Sequence, residues 1–499
     1  MKPLLPLLAL WLPLAAAAQH HQHQPAQPAP TPRPASPAAA PDTTHRGHAM
    51  PAPNHAGHQG QPPAVDHSQH AGHPMPGTAA DSSHQHMMHG GMEGMSHAYS
   101  RNLPMSRNGS GTAWQPDATP MYMWMSHHGQ WMVMNHGAIF GRYTNQNIGR
   151  SGPERGGSTW DAPNWFMTMA QRNVGRKGLL NLTAMISLDP LTEGGNGYPL
   201  LFQSGEAYRG RPLVDRQHPH DLFSALSIGY THAFSADVDL TLYLGYPGEP
   251  AVGPTAFMHR ISAMPNPDAP LSHHWVDATH ITFGVASVGL RYKQFKIEGS
   301  NFTGREPDEH RYNFDRPRAD SWAGRLQWAP TKELVLEAGQ AYIKSPEELH
   351  PEDNVTRTTA AVLHSRQWAD YRFMASSLIW GMNKSDHGRE HSALAETNLT
   401  LGRPTLYGRY EFVQKDADEL QVPHNEETET SFNVHALTLG TSYRLTQLGQ
   451  KGPELHLGAQ GTVYRPDAEL RGYYGRTPVS AQVYLRLNAP LMRMSGMKI

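Results

Sequence analysis

From about residue 112 to about residue 490 the chain repeats one pattern, short segments of alternating apolar and polar residues joined by connections that are short and long by turns. Val238, Leu240, Leu242 and Leu244 alternate with Asp239, Thr241 and Tyr243. Trp322, Leu326 and Trp328 alternate with Ala323, Arg325 and Gln327, and Val479, Ala481, Val483, Leu485 and Leu487 with Ser480, Gln482, Tyr484 and Arg486. A period of two is the side-chain repeat of a strand with one apolar and one polar face. The polar faces carry full charges: Arg325, Glu337, Glu396, Arg409, Glu411, Arg444 and Arg486.

The connections narrow the choice of fold. Short turns are expected near 172–177, 235–237, 294, 330–333, 367–370 and 402–404, and long polar loops at 145–163, 190–220, 247–279, 303–320, 345–356, 383–390, 416–432 and 466–476. Alternating short and long connections mark an up-and-down outer-membrane β-barrel, with its short turns on the periplasmic side. The expected fold is all-β, a barrel of about 16 antiparallel strands over 112–490, followed by a tail at 491–499. An even strand number puts both termini in the periplasm. A soluble sandwich shares the alternation, but Trp165, Tyr230, Tyr246, Trp328, Trp380 and Tyr484 stand near strand ends, as in the aromatic girdles of a barrel. No later apolar run is long enough for a membrane helix.

The chain before this domain has a different chemistry. Residues 1–18 have a charged start, an apolar stretch from Leu4 to Leu14 and the small residues Ala16, Ala17 and Ala18, the features of a signal peptide. Residues 19–111 are rich in Pro, Ala and Gly and too poor in branched apolar residues to bury a core, so a disordered arm is expected. Fourteen of the 32 histidines lie between His20 and His97, and the whole chain has no cysteine. Imidazole suits copper(II), zinc and nickel, while thioether sulfur selects copper(I). The densest stretch holds His84, His86, Met87, Met88, His89, Met92, Met95 and His97. A net charge of -2 supplies no basic surface for nucleic acid.

A signal peptide, a His/Met arm and a barrel together resemble the layout of the outer-membrane copper-resistance B proteins. The barrel phrases DRQHPHDLF (215–223), AFMHRISAMPNPDAPLSHHWVDATHI (256–281) and GSNFTGREPDEHRYNFD (299–315) resemble an uncharacterised bacterial family, which would cover nearly all of the chain after the arm. That resemblance implies a fold and carries no assigned activity.

Three constellations offer metal ligands within the barrel domain. Met121, Met123 and Met125 lead to His127 and His128, and Met132, Met134 and His136 share one face if that stretch is a strand. Methionines at such positions also serve simply as adaptable apolar packing. His218 and His220 straddle Pro219, which keeps the backbone extended, and Asp215 or Asp221 is placed to orient one of them. The third is the Pro-rich loop carrying Met258, His259, Met264, His273, His274, Asp277 and His280, which constricts the pore if it folds inward. Neutral hydrogen bonding is the structural role open to these histidines. Ser224 near His220 and Ser272 near His273 sit in no nucleophile motif, so no enzyme is expected.

The expected function is an outer-membrane copper-binding barrel for copper tolerance, by sequestration and by efflux or transfer across the membrane. Its partners would be copper ions, as Cu(I) or Cu(II), membrane lipid and a periplasmic copper carrier or oxidase, with zinc and nickel the other metals such donors accept. The alternatives are a general porin or solute channel with a metal-buffering arm, and a soluble metal-binding β protein.

Overall fold

The structure, a computed structural model, describes residues 99–149, 155–386, 388–423 and 431–493. The signal segment and the arm ligands His84 to His97 lie outside the described residues. One antiparallel sheet of 18 strands closes on itself. β1 (Trp124–His128) forms a hairpin with the first residues of β2 (Trp131–Gln146). β3 (Gly157–Asp161) and β4 (Asn164–Val174) both pair with β2 and form one bent stave, followed by β5 (Gly178–Ile186). The last strand, Val479–Asn488, pairs with β2 from Ala138↔Asn488 to Asn145↔Ala481 and shuts the barrel. With β3 and β4 as one stave and β1 an extension, the wall has the sixteen staves expected.

Beyond Asn488 the last strand leaves the wall, and β1 takes its place beside β2. Leu491 bridges Tyr122, so the end of the domain is stitched to its beginning.

Short turns of two to six residues gather at one end, and the long connections at the other, together with a two-residue link at 386–387. Two expected loops shrink. Strands run through to Ser385 and resume at Gly388, and β2 and β3 reach to Gln146 and from Gly157. Polar residues on a strand that has left the lipid are indistinguishable from loop residues by hydropathy alone.

The alternation resolves into an outside and an inside. Leu242, Ile297, Leu326, Leu378, Leu439 and Val483 face outward and are exposed, Ile297 and Leu439 to 60% and 63%. Arg325, Glu337, Glu396, Arg409, Glu411 and Arg486 are buried on the inner face. Apolar side chains outside and charges inside are the arrangement of a wall built for lipid. Leu326→Arg, at the middle of its strand, is therefore expected to destabilise the barrel by about 2–4 kcal/mol, read as a lowered urea midpoint in lipid vesicles. Tyr230, Tyr246, Trp328 and Trp380 are partly exposed, as girdle residues are. Tyr484 and Trp165 depart from that expectation: Tyr484 is buried and donates to the Pro265 carbonyl at 2.6 Å, and Trp165 packs on inward methionines. Both residues find partners in segments that fill the lumen.

Three segments do the filling. Residues 99–123 enter at the short-turn end, where Arg101 donates to the Arg176 carbonyl and Asn102 to that of Ser235. Residues 99–111, expected in the arm, are thus folded against the barrel. The connection 187–222 packs Phe202 onto Tyr464 and Tyr474. The connection 246–284 is buried along almost its whole length and forms a plug. Its ion pairs reach the wall: Arg260 to Glu396 at 2.9 Å and Asp268 to Arg142 at 2.6 Å.

Candidate metal-binding lumen

Period two and antiparallel register together place methionines from several strands on one inner surface. Met125 stands opposite Met134, and Met134 opposite Met169. His136 stands opposite Met167, and Met167 opposite Met185. Met134, Met167, Met169 and Met185 form a buried cluster, with Met105, Met123, Met125 and Met258 packed against it. Met132 also faces inward but lies nearer the turn, opposite His127 and Gln171. Beside the cluster a cavity of about 90 Å³ is lined by Met121, Met123, His136, Met258, His259 and Met264 among others.

The structure separates the ligands of the first constellation. Met121, Met123, Met125, Met134 and His136 come together, whereas His127 and His128 are exposed at the hairpin tip. Met105, Met167, Met169 and Met185 were not singled out from the sequence. For Met167 and Met169 the signal was available, since Met-x-Met in a strand is the same period-two pattern as Met132 and Met134.

From this cluster a series of imidazoles continues through the plug. The His136 and His259 rings are 5.6 Å apart, and both edge onto Trp165. His220 is close enough that a charge on it would further disfavour a charge on His259, whose burial already pushes it down. His220 lies 5.6 Å from His280, and His280 5.2 Å from His273. His274 is 5.3 Å from His273 and 5.9 Å from His218. The inward fold of the plug thus places His259, His273, His274 and His280 in the lumen, beside His218 and His220.

Nδ1 is hydrogen-bonded in His220, His273 and His280 and lies beside a carboxylate in His218 and His274. Nδ1 of His220 is 2.7 Å from Asp189, that of His273 2.7 Å from Asp277, that of His218 2.9 Å from Glu206 and that of His274 3.5 Å from Glu306. Nδ1 of His280 donates to the Asp277 carbonyl at 2.7 Å. The expected orienters act elsewhere: Asp215 pairs with Arg155, and Asp221 with Arg311. Nothing local in the sequence distinguishes Asp189, Glu206 or Glu306, because they arrive from distant parts of the long connections. Ser224 donates to the Asp221 carbonyl at 3.0 Å.

Burial favours the neutral form of His218, His273, His274 and His280. It pushes His273 and His280 down, and with His218 and Lys415 it takes His274 to about 3. Asp277 is also shifted down, which for a carboxyl keeps the charged form. Burial would raise its carboxyl, but His273 and Arg260 outweigh that and hold it well below the usual carboxylate range. Burial and the neighbouring Glu206 push Glu306 up to about 7. A neutral imidazole offers a lone pair, so these rings are donors at neutral pH. Among the described residues no three His, Asp or Glu side chains converge as a formed metal site. The arrangement is a sequence of donor pairs.

No protein-family model matches this chain, and no curated protein matches it in sequence. Solved structures with a similar fold include an anion-selective porin from Comamonas acidovorans, at 12% identity and a TM-score of 0.45, covering 72% of this chain and 99% of that one. Salmonella typhi OmpF in complex with daunomycin is 8% identical with a TM-score of 0.46, covering 73% and 100%. A loop-deleted OmpT, an outer-membrane protein of Vibrio cholerae, is 9% identical with a TM-score of 0.42, covering 72% and 99%.

Proposed function

We propose that this chain is an outer-membrane barrel that takes up copper on the short-turn side and passes it through its lumen, contributing to copper tolerance. The observation that carries this function is the cluster of eight methionines beside His136 and His259. Packing alone explains methionines, since they fill irregular gaps. It does not explain why the buried Nε2 of His136 stands beside them without a hydrogen-bond partner. Thioether and imidazole together suit copper(I), which accepts ligands two or three at a time. Arg101 and Asn102, which follow the arm in the chain, lie at the short-turn end, and many tethered donors raise the effective concentration of captured ions. A periplasmic copper carrier or oxidase is the partner such an arm would serve.

A chain beginning at Ala98, lacking the arm, tests this by copper(I) titration. Met134→Ala with Met169→Ala is expected to weaken copper(I) binding about tenfold or more, a change of about 1.4 kcal/mol. Retention of wild-type affinity by that variant, or loss of all binding with the arm, counts against the copper path.

The second function is a solute channel whose arm buffers metal. It is favoured by a cavity of about 590 Å³ at the loop end, lined by Glu206, Arg305, Glu306, Asp315, Arg318 and Glu347 among others. A channel of this kind conducts salts equally with and without the arm.

A further inference from the structure

We infer that His218, His220, His273, His274 and His280 form a binding site for a borderline divalent cation, zinc or copper(II), separate from the thioether cluster. This site goes beyond the copper(I) path and stands whether or not the methionines bind metal. Three observations support it.

The first is the direction of the rings. Nδ1 of His220 and His273 is hydrogen-bonded to a carboxylate and that of His280 to a carbonyl, His218 and His274 stand 2.9 and 3.5 Å from carboxylates, and the Nε2 atoms of His218, His220, His274 and His280 are buried with no hydrogen-bond partner. A histidine that only supports a loop uses its second nitrogen or exposes it. A histidine that ligates metal is held by its other nitrogen, which sets the tautomer and leaves a lone pair free. One such ring is ordinary, but His220 and His280, from two different connections, show it in full, and Nε2 of His218 and His274 is likewise unpartnered.

The second is spacing. Two imidazoles sharing one ion at zinc–nitrogen distances place their ring centres ~5–6 Å apart. The pairs His273 with His280, His273 with His274, His220 with His280 and His218 with His274 fall between 5.2 and 5.9 Å. As they stand, no three converge on one point. A common ion would form only if these neighbouring rings turned their Nε2 atoms toward one another.

The third is the support around the rings. Asp277 holds His273 by its carboxylate and His280 by its carbonyl, and is itself held by Arg260 at 2.9 Å. Glu206 holds His218 and is held by Arg311. Donors of this kind, with no sulfur among the five, suit zinc, copper(II) or nickel rather than copper(I).

The test uses the full chain in detergent. It is loaded with zinc, dialysed against a chelator strong enough to clear the histidines of the arm, and its retained zinc counted by atomic emission. The wild type is expected to retain a single ion per chain, and His273→Ala with His280→Ala none. Asp277→Asn is expected to weaken retention by about tenfold to a hundredfold, as loss of an orienting partner does. Met134→Ala with Met169→Ala should retain the zinc, which separates this site from the copper(I) path. Each preparation is checked for the heat-dependent gel mobility of a folded barrel, and His273→Gln with His280→Gln replaces the alanine pair if that one fails. Zinc absent from the wild type, or retained equally by the folded double variant, overturns the proposal. Anomalous scattering from zinc-loaded crystals gives the position directly: a peak among these rings supports it, and a peak only elsewhere refutes it.

Discussion

Arg260→Ala is expected to unseat the plug and raise the ion conductance of the barrel in planar bilayers. Arg260 is buried and forms 2.9 Å ion pairs with Glu396 on the wall and with Asp277 on the plug. It also donates to the Thr255 carbonyl at 2.9 Å. Truncation would leave two buried carboxylates short of a cation. Removing one partner of a buried pair typically costs about 3–5 kcal/mol. The lower part of that range is expected, because Glu396 keeps Arg409 at 3.1 Å and the Ser262 hydroxyl at 2.9 Å. The cost falls on docking of the plug, since the strand ladder that closes the wall does not involve Arg260. Conductance should therefore rise while heat-dependent gel mobility is unchanged, and residues 246–284 should become open to protease. Unaltered conductance in a folded variant would mean that the plug is held by its other contacts, among them the Asp268 pair with Arg142 and the Tyr484 bond to Pro265.

Gly381→Ala is expected to have a comparable effect by a different route. A Cβ on Gly381 would lie 2.4 Å from the carbonyl oxygen of Trp275 and 3.0 Å from its carbonyl carbon. Both belong to backbone, so no side chain can turn aside. Trp275 is fully buried in the short helix His273–Val276, which carries two of the five clustered histidines. That helix must move off the wall, at about 1–3 kcal/mol for overpacking of this kind. Zinc retention should fall along with protease resistance of the plug. Gly299→Ala is the matched control, because its Cβ would meet nothing nearer than the Ala323 carbonyl at 3.8 Å. Equal zinc retention by the two variants would show that the helix does not depend on close approach at Gly381.

Much of the barrel was legible because side-chain direction in a strand is a local property. The alternation of Val238 to Leu244, or of Val479 to Leu487, settles which residues face outward, whatever the strand pairs with. The same property placed Met132, Met134 and His136 on one face of their strand, and it places Met167 and Met169 together on the facing side of the next. Connection lengths gave strand number and the clustering of short turns at one end. Where hydropathy was the only guide, as at 383–390 or 145–163, the strands proved longer than expected.

The sequence by itself determined the two faces of the wall, the alternation of turns and loops, and the supply of imidazole and thioether donors. Tertiary structure alone decided that 246–284 enters the lumen, that 99–111 joins it, and that Trp165 and Tyr484 turn inward. It also decided that Asp189, Glu206 and Glu306, and not Asp215 or Asp221, orient the histidines beside Asp277. The physical reason is the charge on the inner wall. Arg142, Glu396 and Arg409 are forced inward by their neighbours' alternation and cannot remain buried without partners. Which distant segment supplies those partners depends on competition among all the loops at once, and no local pattern in the chain records its outcome.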